Sequence, residues 1–510
     1  MPPHKTVHTL QAFAKDKVLL NLCSVILDEI FFSQDEKWDI YGPPVLSVRL
    51  ELVRDILTES LSPTLLGDIL STILSRDEAV EATVRYLAIQ LLLVEGVRTL
   101  AVGRFPETYY SLVLEATAKC GFGLHHLDLR GLWVKEEHKP ALMRVLRKLV
   151  DIRRLTLRYN CNDDMLAALG KYSNHLQKLD ISGSSEITEA GLVKLCHNPS
   201  RVAMDTLPHS LLVVDIGGPG SQELHPSQAC YLLLNLPHLV SLGSYEKAGA
   251  AVEMVYNSHP DRQLGLLYLH DKITSSTKYL AIHRTCRMLQ VVYFDSPKDL
   301  VVHSLELLKY LKEVKLHKVR WSDVVIMLTK MGDRLRHLFL LSVFGEIEVS
   351  ELGHLCTHLQ RLEIHNSTLT YTKPPEPTAF QELEELHIYT NRVSSGCLMQ
   401  LLTQCKSAVH IALRECGLTD AELTMVLIEG GLNKVRDLWM GAAQTLTMQG
   451  VETLLGHCSD LTSLGNLAGW SVHPVEVDLL RFQLLLTNTD LDIHAIGPEE
   501  DEWIPLQEDV

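Results

Sequence analysis

The residues of this chain with the widest chemical range are its eleven cysteines and twenty-four histidines. Thiolates and imidazoles attack carbonyls, carry protons and hold metals. Their placement supports none of these roles. No Cys-x-x-Cys pair occurs, and the histidines are scattered without a tight ligand spacing. There is no phosphate loop and no Gly-x-Ser-x-Gly elbow. Gly217-Gly218-Pro219-Gly220 is glycine-rich, but its proline suits a linking loop. The expectation is a chain without catalytic activity, metal or cofactor. What remains is the chemistry of recognition. Arg130, Arg154, Arg158, Arg361, Tyr268, Tyr293, Tyr389, Phe339, Trp439, His337 and His387 belong to the residue types that anchor interfaces or flank such anchors. Each stands close to a regularly recurring apolar residue, so one repeated element must present them.

That element is a spacing. An apolar residue, two free positions, an apolar residue, one free position and another apolar residue recur along the chain. Leu124/Leu127/Leu129, Ile152/Leu155/Leu157 and Leu176/Leu179/Ile181 are early copies. Leu335/Leu338/Leu340, Leu359/Leu362/Ile364 and Leu383/Leu386/Ile388 are later ones. Degenerate copies stand at Val97, Leu211, Leu239 and Leu461. From Leu264 onward the steps are 25, 22, 24, 24, 24, 25, 27 and 26 residues. The alternation predicts a short strand with one buried face. Amphipathic segments such as 304–311 and 396–405 are long enough for two or three helical turns.

Cys286, Cys356, Cys405 and Cys458 each precede the first apolar position of the next copy by three residues. Asn160, Asn391 and Cys416 share a later position, where the chain must turn out of its strand and satisfy backbone groups. Thr188 and Thr419 then stand where a helix needs an N-cap. Together these residues resemble the cysteine-containing leucine-rich repeats, over about residues 96–470. The resemblance implies an α/β solenoid of about fifteen repeats. It would form a horseshoe, with a parallel sheet on the concave face and helices on the convex face. The anchoring residues above would then line the concave face and bind a protein ligand. The cysteines read as small buried apolar residues.

Bulk properties agree. The chain has 510 residues, 46% of them hydrophobic and 22% charged, enough for an extended core. A net charge of −16 disfavours nucleic acid as a partner. No apolar run is long enough for a membrane span, and no secretory leader is legible, so the expected location is cytoplasmic or nuclear. Residues 1–95 read as a helical adaptor-binding or capping module, 96–470 as repeats, and 471–510 as a C-terminal cap with an acidic tail. Leu479, Leu480, Leu484, Leu485 and Leu486 are the apolar residues available to that cap.

The first module should contain four helices, over about 16–31, 45–59, 64–74 and 77–93. Leu19, Cys23 and Leu27 are spaced four apart in the first. This resembles the elongin-binding box of cullin-ligase receptors, with Val18 where that box usually has Ser, Thr or Pro. Pro43, Leu46 and Leu50 resemble the proline-led helix that follows in von Hippel–Lindau-box proteins, with Gly42 in place of an apolar residue. Residues 61–70 resemble the opening of an F-box. A helical box before cysteine-containing repeats is the layout of ubiquitin-ligase substrate receptors. It implies elongin B/C or an F-box adaptor, together with a cullin, as partners. The alternative is a scaffold or inhibitor outside ubiquitin transfer, in which these helices only cap the array.

Overall fold

The computed structural model describes residues 2–3, 10–33, 46–76, 79–197, 210–218, 224–372, 379–465 and 467–493. The chain forms two compact units, His8–Leu266 and Leu267–Val510, the latter joined by Met1–Val7. Pro43, and most of the loops at 203–210, 217–221 and 372–377, lie outside the described residues, as does the acidic tail.

The first unit opens with four helices: α1 (Leu10–Ser33), α2 (Val48–Ser60), α3 (Pro63–Leu74) and α4 (Ala82–Leu92). Their boundaries have local causes. Ser47 caps α2 by accepting the Leu50 amide at 3.2 Å. Ser62 caps α3, and Pro63 occupies its first turn, where no amide is needed. The fourth helix begins later than the sequence suggests, because the Arg85 side chain donates to the Val80 carbonyl and stabilises a turn there.

Five strands follow: β1 (Thr99–Ala101), β2 (His126–Asp128), β3 (Arg154–Thr156), β4 (Lys178–Asp180) and β5 (Val213–Asp215). They pair in chain order, all parallel. Leu100, Leu127, Leu155, Leu179 and Val214 fall into one register row, and every one is buried.

The second unit repeats the design with β6 (Tyr268–Lys272), β7 (Val291–Asp295), β8 (Glu313–His317), β9 (His337–Leu341), β11 (Arg361–His365), β13 (Glu385–Tyr389), β14 (His410–Leu413), β15 (Asp437–Met440) and β16 (Ser463–Gly465). These form one nine-stranded parallel sheet in chain order. Two short strands, β10 (Glu346–Glu348) and β12 (Thr368–Thr370), pair separately beside it. Every predicted repeat strand but one lies in the two large sheets. The exception, Leu239–Leu242, is reduced to a bridge between Ser241 and Val213.

Five consecutive strands of the second unit end in the same way. Ile273, Ser296, Lys318, Ser342 and Asn366 follow β6, β7, β8, β9 and β11, each with a left-handed φ between 47° and 56°. Each donates its amide to the carbonyl of the last residue of the next strand, at 2.8 to 3.1 Å.

Between strands, several turns and helix starts are tied to the preceding repeat. Asn160 is buried. Its Oδ1 accepts from the Val134 amide and its Nδ2 donates to the Leu132 carbonyl of the previous repeat, both at 2.8 Å. Thr188 caps its helix and donates through Oγ1 to Asp163 of the repeat before, at 2.5 Å. Thr447 does the same to Asp420 at 2.6 Å. Thr419 forms a full capping box with Glu422. All eleven cysteines are free thiols, and nine are buried. Burial pushes the Cys286, Cys356 and Cys405 thiols up to about 12, so they stay neutral core residues. The strand–helix unit, the parallel ladder and the buried leucine row make the fold a leucine-rich-repeat solenoid.

At the C-terminal end the apolar helix behaves differently from expectation. In Pro474–Leu486 only Leu480 is buried, while Leu479, Leu485 and Leu486 are exposed. The last strand is covered instead by residues 491–493. The Leu464 amide donates to the Asp492 carbonyl at 2.8 Å, and Leu491, Ile493 and Trp470 fill the core there.

The Asp163–Thr188 link predicts a test. A Cβ at Gly191 would sit 2.1 Å from Asp163 Oδ1 and 2.9 Å from its Cα. Gly191→Ala should displace that aspartate and destabilise the first unit by about 1–3 kcal/mol, read as a lower urea midpoint.

Candidate protein-binding surfaces

Side chains at the free strand positions point away from the buried leucines and form columns across each sheet. In the second unit the central column reads His270, Tyr293, Lys315, Phe339, Glu363, His387, Ala412 and Trp439. Its members contact one another and the side chains of the adjoining columns. His270 stacks on Tyr293 at 4.1 Å between centroids. The Lys315 ammonium lies 4.4 Å, and the Arg361 guanidinium 5.4 Å, from the Phe339 ring centre. His365 stacks on Tyr389 at 4.8 Å, and Tyr389 on Trp439 at 6.2 Å.

The charges pair as well. Glu363 is only 3% exposed. Arg361 approaches it at 2.6 Å, His387 at 3.4 Å and His365 at 3.7 Å. Burial alone would raise this carboxyl. The two nearby imidazoles and the Arg361 charge outweigh burial and hold it down at about 2. Arg361 also reaches Glu385 at 3.0 Å. Glu313 takes Lys315 at 3.0 Å and His337 at 2.9 Å, Asp295 takes His317 at 3.1 Å, and Asp437 takes His410 at 2.6 Å.

This alters the sequence expectation for the later repeats. Tyr268, Phe339 and Tyr389 are buried, not presented to a ligand. Tyr293, His337, Arg361, His387 and Trp439 are half-buried. The cause is the short distance between parallel strands, which packs long side chains of adjacent columns against one another.

The first unit differs. Arg154 and Arg130 are exposed and Arg158 is half-buried. Arg130 pairs with Asp128 at 2.7 Å, and Arg158 lies over the Tyr159 ring at 5.3 Å. Two features escaped the periodic reading because they lie outside the free strand positions. Arg98, His125 and Arg153 gather at the strand starts. Trp133, 67% exposed, stacks on Tyr159 beyond the strand ends.

On the helices, the structure separates the residues that the box resemblance groups. Leu19 is buried, Cys23 is intermediate and Leu27 is exposed. A spacing of four drifts around a helix by about 40° per step, enough to carry the third residue off the buried face. Leu50 is also buried and Leu46 is half-buried. Among the described residues, the large apolar side chains exposed on these two helices are Leu20, Leu27 and Phe31 on α1, and Val48, Leu52 and Ile56 on α2. The last three are spaced four apart, so that signal was legible. Arg49 on α2 and Glu29 on α1 form an ion pair at 3.6 Å. In the F-box-like segment, Leu66, Ile69 and Leu70 are buried.

Among the described residues no histidine, cysteine or carboxylate group forms a metal-binding cluster, and no helix is long and apolar enough to cross a membrane.

No protein-family model matches the sequence, and no curated protein matches it. Solved structures do match. One is the complex of Rad7 and Elc1 in yeast, at 12% identity and a TM-score of 0.38, covering 90% of this chain and 87% of that one. An internalin from Listeria monocytogenes matches at 12% identity and a TM-score of 0.29, over 85% of this chain and 95% of that one. TLR13 in complex with ssRNA13 matches at 12% identity and 0.34, over 81% and 66%. The solenoid assignment rests on the strand ladder itself.

The Glu363 cluster yields a pH prediction. A carboxylate held below its ordinary 4.5 contributes stability above that value and loses it as pH falls toward about 2. Melts of the wild type should show this acid limb. Glu363→Gln should flatten it and lower stability at neutral pH by about 3 kcal/mol.

Proposed function

We propose that this chain is a protein-binding scaffold, and specifically the substrate-recognition subunit of a cullin–RING ubiquitin ligase. The repeats would hold the substrate and the N-terminal helices the adaptor, while transfer chemistry belongs to other subunits. The observation that carries the adaptor half is the apolar surface of α1 and α2. Phe31 is 74% exposed and Val48 84%, with Leu20, Leu27, Leu52 and Ile56 also open. Helices that served only to cap the array would turn such residues inward. A docked partner helix would bury them.

Elongin B/C is the adaptor of this reading. The F-box-like residues on α3 already serve the chain's own core, whereas the exposed residues lie on the elongin-box helix and the one after it. The second reading, a scaffold outside ubiquitin transfer, draws on Leu19, Leu22, Ile26 and Leu50, which pack inward as a cap's residues would.

Co-elution with purified elongin B/C separates the two. Wild type should co-elute, and Leu27→Asp/Leu52→Asp should lose the complex while melting at the wild-type temperature, since both residues are exposed. Co-elution with a purified F-box adaptor would keep the ligase class and move the contact to 61–70. Failure of wild type with both adaptors sinks the ligase reading and leaves the plain scaffold.

A further inference from the structure

The outer face of β1–β5 exposes two arginines, Arg153 and Arg154. His126, Arg154 and Lys178 are direct register neighbours on β2, β3 and β4. Arg98, His125 and Arg153 lie one residue earlier in successive repeats. Arg98 donates to the Gly123 carbonyl at 3.0 Å and lies 3.3 Å from His125 Nε2. The nearest column of carboxylates is committed elsewhere. Asp128 binds Arg130. Asp180 accepts from the Ser182 amide and hydroxyl. Asp215 accepts from the Gly217 and Ser244 amides and the Ser244 hydroxyl. Among the described residues Arg153 and Arg154 form no ion pair. The local potential is visible in the histidines. Burial first, then the nearby arginines, lowers both His125 and His126, although Asp151 opposes this at His125.

A second feature stands beyond the far ends of β2 and β3. Trp133 and Tyr159 stack with ring centroids 5.7 Å apart and planes 20° from parallel. Tyr159 adopts a left-handed φ of 63°. Its ring lies where a Cβ at Gly183 would be, 2.1 Å from the nearest ring carbon. The pair is therefore a fixed, open aromatic platform, with Arg158 over its inner ring.

We infer that this face binds an acidic segment of a partner protein. Its carboxylates meet Arg153 and Arg154, and a flat apolar side chain rests on Trp133 and Tyr159. The inference rests on the receptor reading and names the class of ligand its first repeats take. A guanidinium matches a carboxylate in fork geometry and, unpaired, has that interaction to offer. The second unit's face has its charges already paired. A nucleic acid suits this face less well. Its closely spaced phosphates would have to pass the column of Asp128, Asp180 and Asp215, whereas a peptide can place its charges over the arginines alone. Four strand spacings of about 4.8 Å span about 19 Å, the reach of roughly six extended residues.

Fluorescence anisotropy with the full chain tests this. The probes are a fluorescein-labelled glutamate peptide with one tryptophan, the lysine peptide of equal length, and a single-stranded RNA of equal length. The glutamate peptide should bind, and more weakly as salt rises. R153E/R154E should weaken it at least about tenfold and W133A about fivefold, with H410A on the other sheet unchanged. R154Q, milder to the fold, should shift affinity in the same direction. Equal binding of the lysine peptide, tighter binding of the RNA, or unchanged affinity in R153E/R154E overturns the inference. The same variants are run in the elongin co-elution. Lost adaptor with peptide binding intact counts against the ligase reading alone. An absent peptide response with adaptor intact counts against this inference alone.

Discussion

A short parallel strand cannot satisfy its own backbone. Each N–H and C=O must be met by the strand of the next repeat, or lost from water without compensation. The structure follows from this requirement. Within each large sheet it sets every strand in register with its neighbour, which aligns that sheet's leucines into one buried row. The same register places outward side chains in columns one strand spacing apart, whatever their chemistry. The helices then have to pack at the same interval. Pairs such as Asp163 with Thr188 and Asp420 with Thr447 tie the start of one helix to the next.

Columns make neighbours of residues that are some two dozen positions apart in sequence. In the second unit this neighbourhood is complementary. Cations fall beside carboxylates and rings beside rings, and the surface becomes a packed layer with Glu363 and Lys315 inside it. In the first unit the acidic column is drawn into turns, while Arg153 and Arg154 stay exposed. The two faces therefore differ in which cross-strand partner each charge meets.

Much of the fold was legible because it depends on short-range spacing. The recurrent leucines located all but one of the repeat strands, and Thr188 and Thr419 marked helix starts. The residues at Leu239–Leu242 kept the apolar pattern but formed only a bridge, because strand length depends on the partner's extent as well. Whether an outward residue is available to a ligand was not legible. Phe339 and Trp133 are both aromatic residues near strands, yet one is covered by Lys315 and Arg361 and the other is open. That outcome is decided in neighbouring repeats. The box-like spacing of Leu19, Cys23 and Leu27 likewise carried no information on which side of α1 faces the core. That is set by the packing of α1 against α3 and α4.

The left-handed residues after β6, β7, β8, β9 and β11 are an isoleucine, two serines, a lysine and an asparagine. None is glycine, although L-residues resist this conformation by roughly 1–2 kcal/mol. Each is held by the amide it gives to the following strand. What passes from repeat to repeat at this corner is thus a path of the main chain and not a residue. Two repeats can share their construction fully here while sharing no side chain. Kinship between repeats is then to be measured in dihedral angles and hydrogen-bond connectivity, since aligned letters at this corner record little of it.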